Sequence, residues 1–274
     1  MLRQRILTVA VLLPLFLAAL FLLPNLYWSL LLVAVLAVAA QEWARLAGMT
    51  GLRLRLYPAV LCGLALAILV LEHRVLPQPL IHAPSGRLLY GLCVVFWLCI
   101  APAWLYYRWR TRNPLLLGMV GALVLVPFWH ALSFLQPDPG RLAAVLAVVW
   151  IADTAAYFTG RKLGRRKLAP EISPGKTLEG AAGALAAVAA YWYALALWAP
   201  GVAGDWPSGL VLFMILTLVS IEGDLFESWM KRVAGLKDSG NLLPGHGGVL
   251  DRVDALTSTV PLAALYFAYP ALRG

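Results

Sequence analysis

Apolar runs long enough to cross a bilayer recur nine times along these 274 residues, near 6–23, 26–46, 57–73, 88–106, 115–135, 142–160, 178–199, 208–226 and 255–270. A hydrocarbon core of about 30 Å is spanned by a helix of roughly 20 residues. The sequence therefore predicts an all-α, polytopic transmembrane protein with about nine membrane-spanning helices. Composition agrees: 62% of residues are hydrophobic and 13% charged, whereas a soluble domain carries about a quarter charged residues. An ordinary soluble domain is excluded.

Arg3 and Arg5 before the first run resemble the start of a signal peptide, but no convincing small-residue cleavage site follows and the next run begins almost at once. The first run is read as an uncleaved helix. With the N-terminus in the cytoplasm, alternation puts every one of the 22 Lys and Arg residues on the cytoplasmic side except Arg74, Arg87, Arg141 and Arg273. That is the asymmetry of the positive-inside rule. It accounts for the net charge of +9 without nucleic acid as a partner, and it gives a basic face that attracts anionic headgroups and nucleotides. Cys62, Cys93 and Cys99 lie in apolar runs with no ligand-like spacing, as packing residues do.

No internal repeat, long linker or low-complexity tail divides the chain, so residues 1–274 read as one integral membrane domain. Up to about residue 140 the runs hold few charges and read as scaffold. There, Glu42 is expected to pair locally with Arg45, and His130 to be a hydrogen-bonded core histidine. From about 141 to 274 charge gathers where runs approach the cytoplasmic face, as expected of catalytic spans and loops. One such place is Asp153 followed by Gly160, Arg161, Gly164, Arg165, Arg166 and Lys167. Another is Ser173-Pro174-Gly175-Lys176-Thr177 with Glu179, where Thr177 reads as a helix cap and Lys176 with free backbone donors suits a phosphate. The spacing is not that of a Walker A loop.

The densest place runs from Glu222 to Asp254. It holds six of the chain's 13 acids, Glu222, Asp224, Glu227, Asp238, Asp251 and Asp254, and a charge beside an apolar span is by default a functional hypothesis. Asp224, Asp251 and Asp254 offer hard oxygens of the kind Mg²⁺ takes together with water and phosphate oxygens. The alternative is that these acids pair with Lys231, Arg232 and Arg252. Gly245, His246, Gly247 and Gly248 form a turn able to present consecutive N–H groups to an anion, flanked by Lys231, Arg232, Lys237 and Arg252 for phosphate contact. Acids for a divalent ion beside bases for a polyphosphate point to phosphoryl or nucleotidyl transfer onto a lipid.

From Ser228 to Asp254 the residues read Ser-x2-Lys-Arg-x4-Lys-Asp-x-Gly-x3-Pro-Gly-His-Gly-Gly-x2-Asp-Arg-x-Asp. This resembles, without a break, the signature of the phosphatidate cytidylyltransferases, or CDP-diacylglycerol synthases, and the Asp153 and Lys176 segments also look like family elements. The resemblance implies transfer of CMP from CTP to phosphatidic acid at the inner leaflet of a bacterial cytoplasmic membrane, giving CDP-diacylglycerol and pyrophosphate. It implies dependence on Mg²⁺, with room for a second cation. Asp224 and Asp251 then look like the cation ligands, and Ser228, Lys231 and Asp254 like the residues essential for activity. Lys176, Thr177, Arg232, Lys237, Asp238, Gly245, His246, Gly247, Gly248 and Arg252 are the expected substrate-binding positions, and a homodimer is admitted. Two competing readings are a CTP-dependent kinase of a polyprenol or diacylglycerol, which would release CDP, and a non-enzymatic lipid or nucleotide transporter.

Overall fold

Helices fill nearly all of the chain described by the structure, a computed structural model covering residues 2–242 and 247–269, with side chains from residue 10 onward. They are α1 (Leu2–Leu22), α2 (Asn25–Leu46), α3 (Gly51–Arg74), α4 (Pro84–Val95), α5 (Ala101–Tyr107), α6 (Pro114–Leu135), α7 (Pro139–Leu163), α8 (Leu178–Trp198), α9 (Pro200–Ala203), α10 (Ser208–Ala234) and α11 (Leu250–Ala268). A π-helical turn at Phe96–Ile100 joins α4 to α5, so together they span Pro84–Tyr107.

Eight of the predicted runs fall each on a single helix and 88–106 falls on α4 and α5 with the turn between them, and the all-α polytopic class stands. Among the described residues, seven helical segments are long and apolar enough to cross a membrane: α2, α3, α4 with α5, α6, α7, α8 and α10. The apolar part of α1 with described side chains, Ala10–Leu22, is shorter. Helix α11 carries Asp251, Arg252 and Asp254 within its first five residues. The sequence did not suggest the small antiparallel ribbon of β1 (Lys167–Ala169) and β2 (Ser173–Thr177), in which Lys167 faces Thr177 and Ala169 faces Ser173. Ser173–Lys176 are therefore extended rather than helical. Helix α8 starts one residue beyond Thr177, whose hydroxyl accepts the Gly180 N–H at 3.0 Å, as a cap should.

The chain clusters into two compact units. One comprises Met1–Cys93, Trp109–Pro139 and Met230–Val253, the other Val94–Arg108, Gly140–Trp229 and Asp254–Gly274. In the first, α2, α3 and α6 pack around aromatic side chains that reach across to backbone carbonyls. Trp43 Nε1 donates to Leu117 O at 2.8 Å and the Tyr57 hydroxyl to Gly118 O at 2.9 Å. Gly118 and Gly121 make room, since a methyl group at Gly121 would collide with the Trp43 indole. Such small residues let helices approach where the hydrophobic effect gives no drive in lipid. His130 is the hydrogen-bonded core residue expected, held between the Tyr90 hydroxyl (2.7 Å) and Glu72 (2.8 Å).

In the second unit, Phe96, Trp97 and Trp104 surround Phe226 edge-on, with ring centroids 5.3 to 5.7 Å from it. Edge-to-face contact is the geometry aromatic quadrupoles favour. Helices α10 and α11 cross at Gly223, where a Cβ would press on Ser258 Oγ and the Asp254 carbonyl. Helices α7 and α8 meet through Gly160, Gly180 and Gly183.

Candidate active site

Two groups of charged side chains stand out, one in each unit. In the second unit, α7 contributes Asp153, α10 contributes Asp224, and the ribbon leading into α8 contributes Lys176. All three line a cavity of about 560 Å³. Gly160, Gly164, Gly175 and Gly180 form its wall with Tyr157, Arg161, Lys167 and Thr177. Lys176 Nζ lies 2.7 Å from Asp224 Oδ2 and also donates to the Ile221 carbonyl at 3.3 Å. Ser228, one helical turn on, donates to Asp224 Oδ1 at 3.2 Å, as the i, i+4 spacing allows. The Lys176 and Asp224 side chains remain 22% and 30% exposed, so the pair is open to a ligand. Beside the cavity wall, Glu179 accepts the Arg165 and Arg166 N–H groups at 3.0 and 3.2 Å and so fixes the basic turn between α7 and β1.

The second group lies in the first unit and is closed. Lys231 Nζ donates to Asp251 Oδ1 at 2.6 Å, with side chains only 12% and 6% exposed. Asp251 Oδ2 accepts from Ser239 N (2.9 Å), Ser239 Oγ (2.9 Å) and Gly248 N (2.8 Å). Burial alone would raise the Asp251 pKa. The Lys231 ammonium and the two backbone N–H groups outweigh it and hold the carboxyl below its ordinary value. Gly247, at φ +80°, lies where a Cβ would press on Asp251 Oδ2 at 2.8 Å, which explains glycine there.

A sequence model of the cytidylyltransferase family matches residues 3–270. The chain belongs to the cytidylyltransferase family. Among its relatives, a phosphatidate cytidylyltransferase of Pseudomonas aeruginosa is 42% identical, with 98% of each chain covered. That of Haemophilus influenzae is 34% identical over 98% of this chain and 99% of the relative. A phosphatidate cytidylyltransferase of Brucella suis is 54% identical over 143 residues, which is 50% of this chain and 52% of the relative.

In this cytidylyltransferase-family chain, the sequence-selected residues fall into distinct settings. Lys176, Thr177, Asp224 and Ser228 come together in the second unit, Thr177 through its cap as well as the cavity wall. Lys231, Gly247, Gly248 and Asp251 come together in the first. Arg232, Lys237, Asp238 and Arg252 are exposed. Asp254 Oδ1 accepts the Ala255 N–H at 2.8 Å within α11. Gly245 and His246 lie outside the described residues. Among the described residues, no group of three or more His, Cys, Asp or Glu side chains is gathered as a metal cage.

Three cavity residues, Asp153, Arg161 and Lys167, were visible in the sequence as charges at a helix end but were not singled out as binding residues. Glu42 was misjudged. It does not pair with Arg45, which is exposed. Its carboxylate is 3% exposed and accepts from Ser239 Oγ (3.0 Å), Val249 N (3.1 Å) and Leu250 N (2.8 Å). Its only sequence signal was an acid inside an apolar run, since the partners are about 200 residues away.

Proposed function

We propose that this chain is an integral-membrane phosphatidate cytidylyltransferase that joins CTP and phosphatidic acid into CDP-diacylglycerol and pyrophosphate. The observation that carries this reading is the end-to-end identity of 42% with a relative of that name. The cavity holding Lys176 against Asp224, with Arg161 and Lys167 in its wall, supports it. Cations there offset the charge of a polyphosphate, while the half-open carboxylates keep the site from being merely an anion sink.

The nucleophile is an oxygen of phosphatidate's own phosphate, ionised at neutral pH, so no general base is required. It attacks the α-phosphorus of CTP. The bond from that phosphorus to the oxygen bridging to the β-phosphate breaks, and pyrophosphate departs with the bonding electrons. Lys176, Arg161 and Lys167 hold phosphate oxygens; Ser228 orients Asp224, and Lys231 orients Asp251. Arg232, Lys237, Asp238, Arg252, Gly245 and His246 are further substrate contacts, and Asp254 serves as an orienting acid.

The Asp224 carboxylate, 30% exposed, suits a divalent ion. Each carboxylate oxygen has two acceptor sites, and Asp224 Oδ1 and Oδ2 each carry one hydrogen bond or ion pair, which leaves both oxygens able to accept a cation. Asp224 is the residue to hold Mg²⁺, whose shell typically includes only one or two carboxylates besides water and phosphate oxygens; Asp251, the other ligand expected from the sequence, is sealed by Lys231 on Oδ1 and three donors on Oδ2 and fits a positioning role instead. When bound, Mg²⁺ neutralises charge on the transferring phosphates. We place the chain in a bacterial inner membrane with these residues facing the cytoplasm, where CTP is available.

CTP labelled at the α- or the γ-phosphate tests the reaction. With phosphatidate and Mg²⁺, α-label is expected in the lipid and γ-label in pyrophosphate. Transfer of γ-label to a lipid with release of CDP would instead indicate a lipid kinase.

A further inference from the structure

Glu42 is a carboxylate sealed at the end of α2 (Asn25–Leu46) with nothing basic among its hydrogen-bond partners in the described residues. Burying a carboxylate is unfavourable unless hydrogen bonds replace its water, and here three donors do so. Oε1 takes the Val249 N–H, and Oε2 takes the Leu250 N–H and the Ser239 hydroxyl. Leu250 opens α11 and Val249 immediately precedes it, so the acid stands at the positive end of that helix. The same hydroxyl donates to Asp251 Oδ2. A single proton therefore lies between two carboxylates, one on α2 and one on α11.

The fit around Glu42 is close on both sides of the loop. A methyl group at Gly240 would collide with the Glu42 carboxylate, and one at Gly248 would collide with both Glu42 and Ser239. The two glycines that allow this approach belong to the signature stretch from Ser228 to Asp254. Neither a local pair with Arg45 nor a generic helix cap needs glycines at those two positions.

We propose that Glu42 is a positioning residue for the transfer reaction: by binding Ser239 and the first N–H groups of α11, it sets the orientation of Asp251 and hence of the Lys231–Asp251 pair. The inference rests on the transferase reading only for its activity readout. Outer-sphere partners of reactive or metal-binding groups commonly change activity by about 10- to 100-fold when removed. Glu42→Gln keeps the side chain's size but turns one oxygen into an NH₂ group, which then faces N–H or O–H donors and cannot accept from them.

The test is a double-mutant cycle with Glu42→Gln and Ser239→Ala on the full-length protein in detergent with phosphatidate, CTP and Mg²⁺. Glu42→Gln is expected to lower kcat roughly 10- to 100-fold with the KM for CTP little changed. Ser239→Ala is expected to lower kcat less, and the double variant to lie within about twofold of Glu42→Gln alone, because both act through one link. Hydrogen exchange is expected to lose protection at the Val249 and Leu250 amides in Glu42→Gln. Wild-type kcat in Glu42→Gln, or effects that multiply in the double variant, would overturn the proposal. If Glu42→Gln does not fold, wild-type kcat in Ser239→Ala overturns it. An inactive wild type would refute the transferase reading, and unchanged amide protection would then separately refute the positioning role.

Discussion

The Asp224 cavity and the Asp251 cluster use the same chemistry, a carboxylate against a lysine, in opposite ways. Lys176 and Asp224 meet at 2.7 Å but keep about a quarter of their surface, and their neighbours are glycines and further cations around a space of about 560 Å³. Lys231 and Asp251 meet at 2.6 Å and are nearly sealed, with Asp251 also held by three N–H and O–H donors. An open pair can exchange its partner for a substrate phosphate at little cost. A sealed pair cannot, and its value lies in holding a fixed orientation. The signature stretch beginning at Ser228 thus does two jobs: Ser228 serves the open group, while Lys231, Gly248 and Asp251 build the closed one.

The contrast predicts different responses to mutation. Asp251→Ala leaves the buried Lys231 ammonium without its carboxylate, and breaking a buried pair costs about 3–5 kcal/mol. Thermal melting in detergent is expected to fall markedly, together with activity. A melting temperature equal to wild type would mean the cluster is not the closed structure described. Gly248→Ala is expected to destabilise by roughly 1–3 kcal/mol, as over-packing does, because the methyl group meets Ser239 and Glu42. A neutral effect in the same melt would show that the loop yields easily.

Lys176→Met separates the regions most sharply. The pair is partly exposed, so its stability contribution is about 0–1 kcal/mol, while the transfer rate is expected to fall about 100-fold or more through loss of charge stabilisation. Melting and turnover measured on one preparation check this, and a parallel loss of both would erase the distinction.

The smallest effect concerns pH. Asp251 holds its proton less tightly when folded than when unfolded, so its contribution to stability is present above the unfolded value, about 3.9, and is lost as pH falls through the lower folded value. Asp251→Asn is expected to flatten the acid side of the melting-temperature profile. An unchanged profile would mean that other carboxylates set it.

What was legible in the sequence follows from the range over which each feature is determined. The helices were, because a 20-residue apolar run fixes its own backbone hydrogen bonds; the Thr177 cap was, because its partner is three residues away. Lys176 and Asp224 were each picked out in the sequence, but their pairing could not be, since nothing local brings β2 to α10. Glu42 was misread for the same reason: Arg45 is one turn away, whereas Ser239 and Leu250 are separated from it by 197 and 208 residues. The ribbon at 167–177 escaped because strands of three and five residues leave too short a pattern.

The central claim is that cytidylyl transfer depends on Asp224 in the open cavity, and Asp224→Asn tests it most directly. CDP-diacylglycerol formation from CTP and phosphatidate is measured at saturating Mg²⁺ beside a melting curve. A loss of at least about 100-fold in product with melting close to wild type is the predicted result. Product formation at the wild-type rate by a folded Asp224→Asn protein would contradict the account.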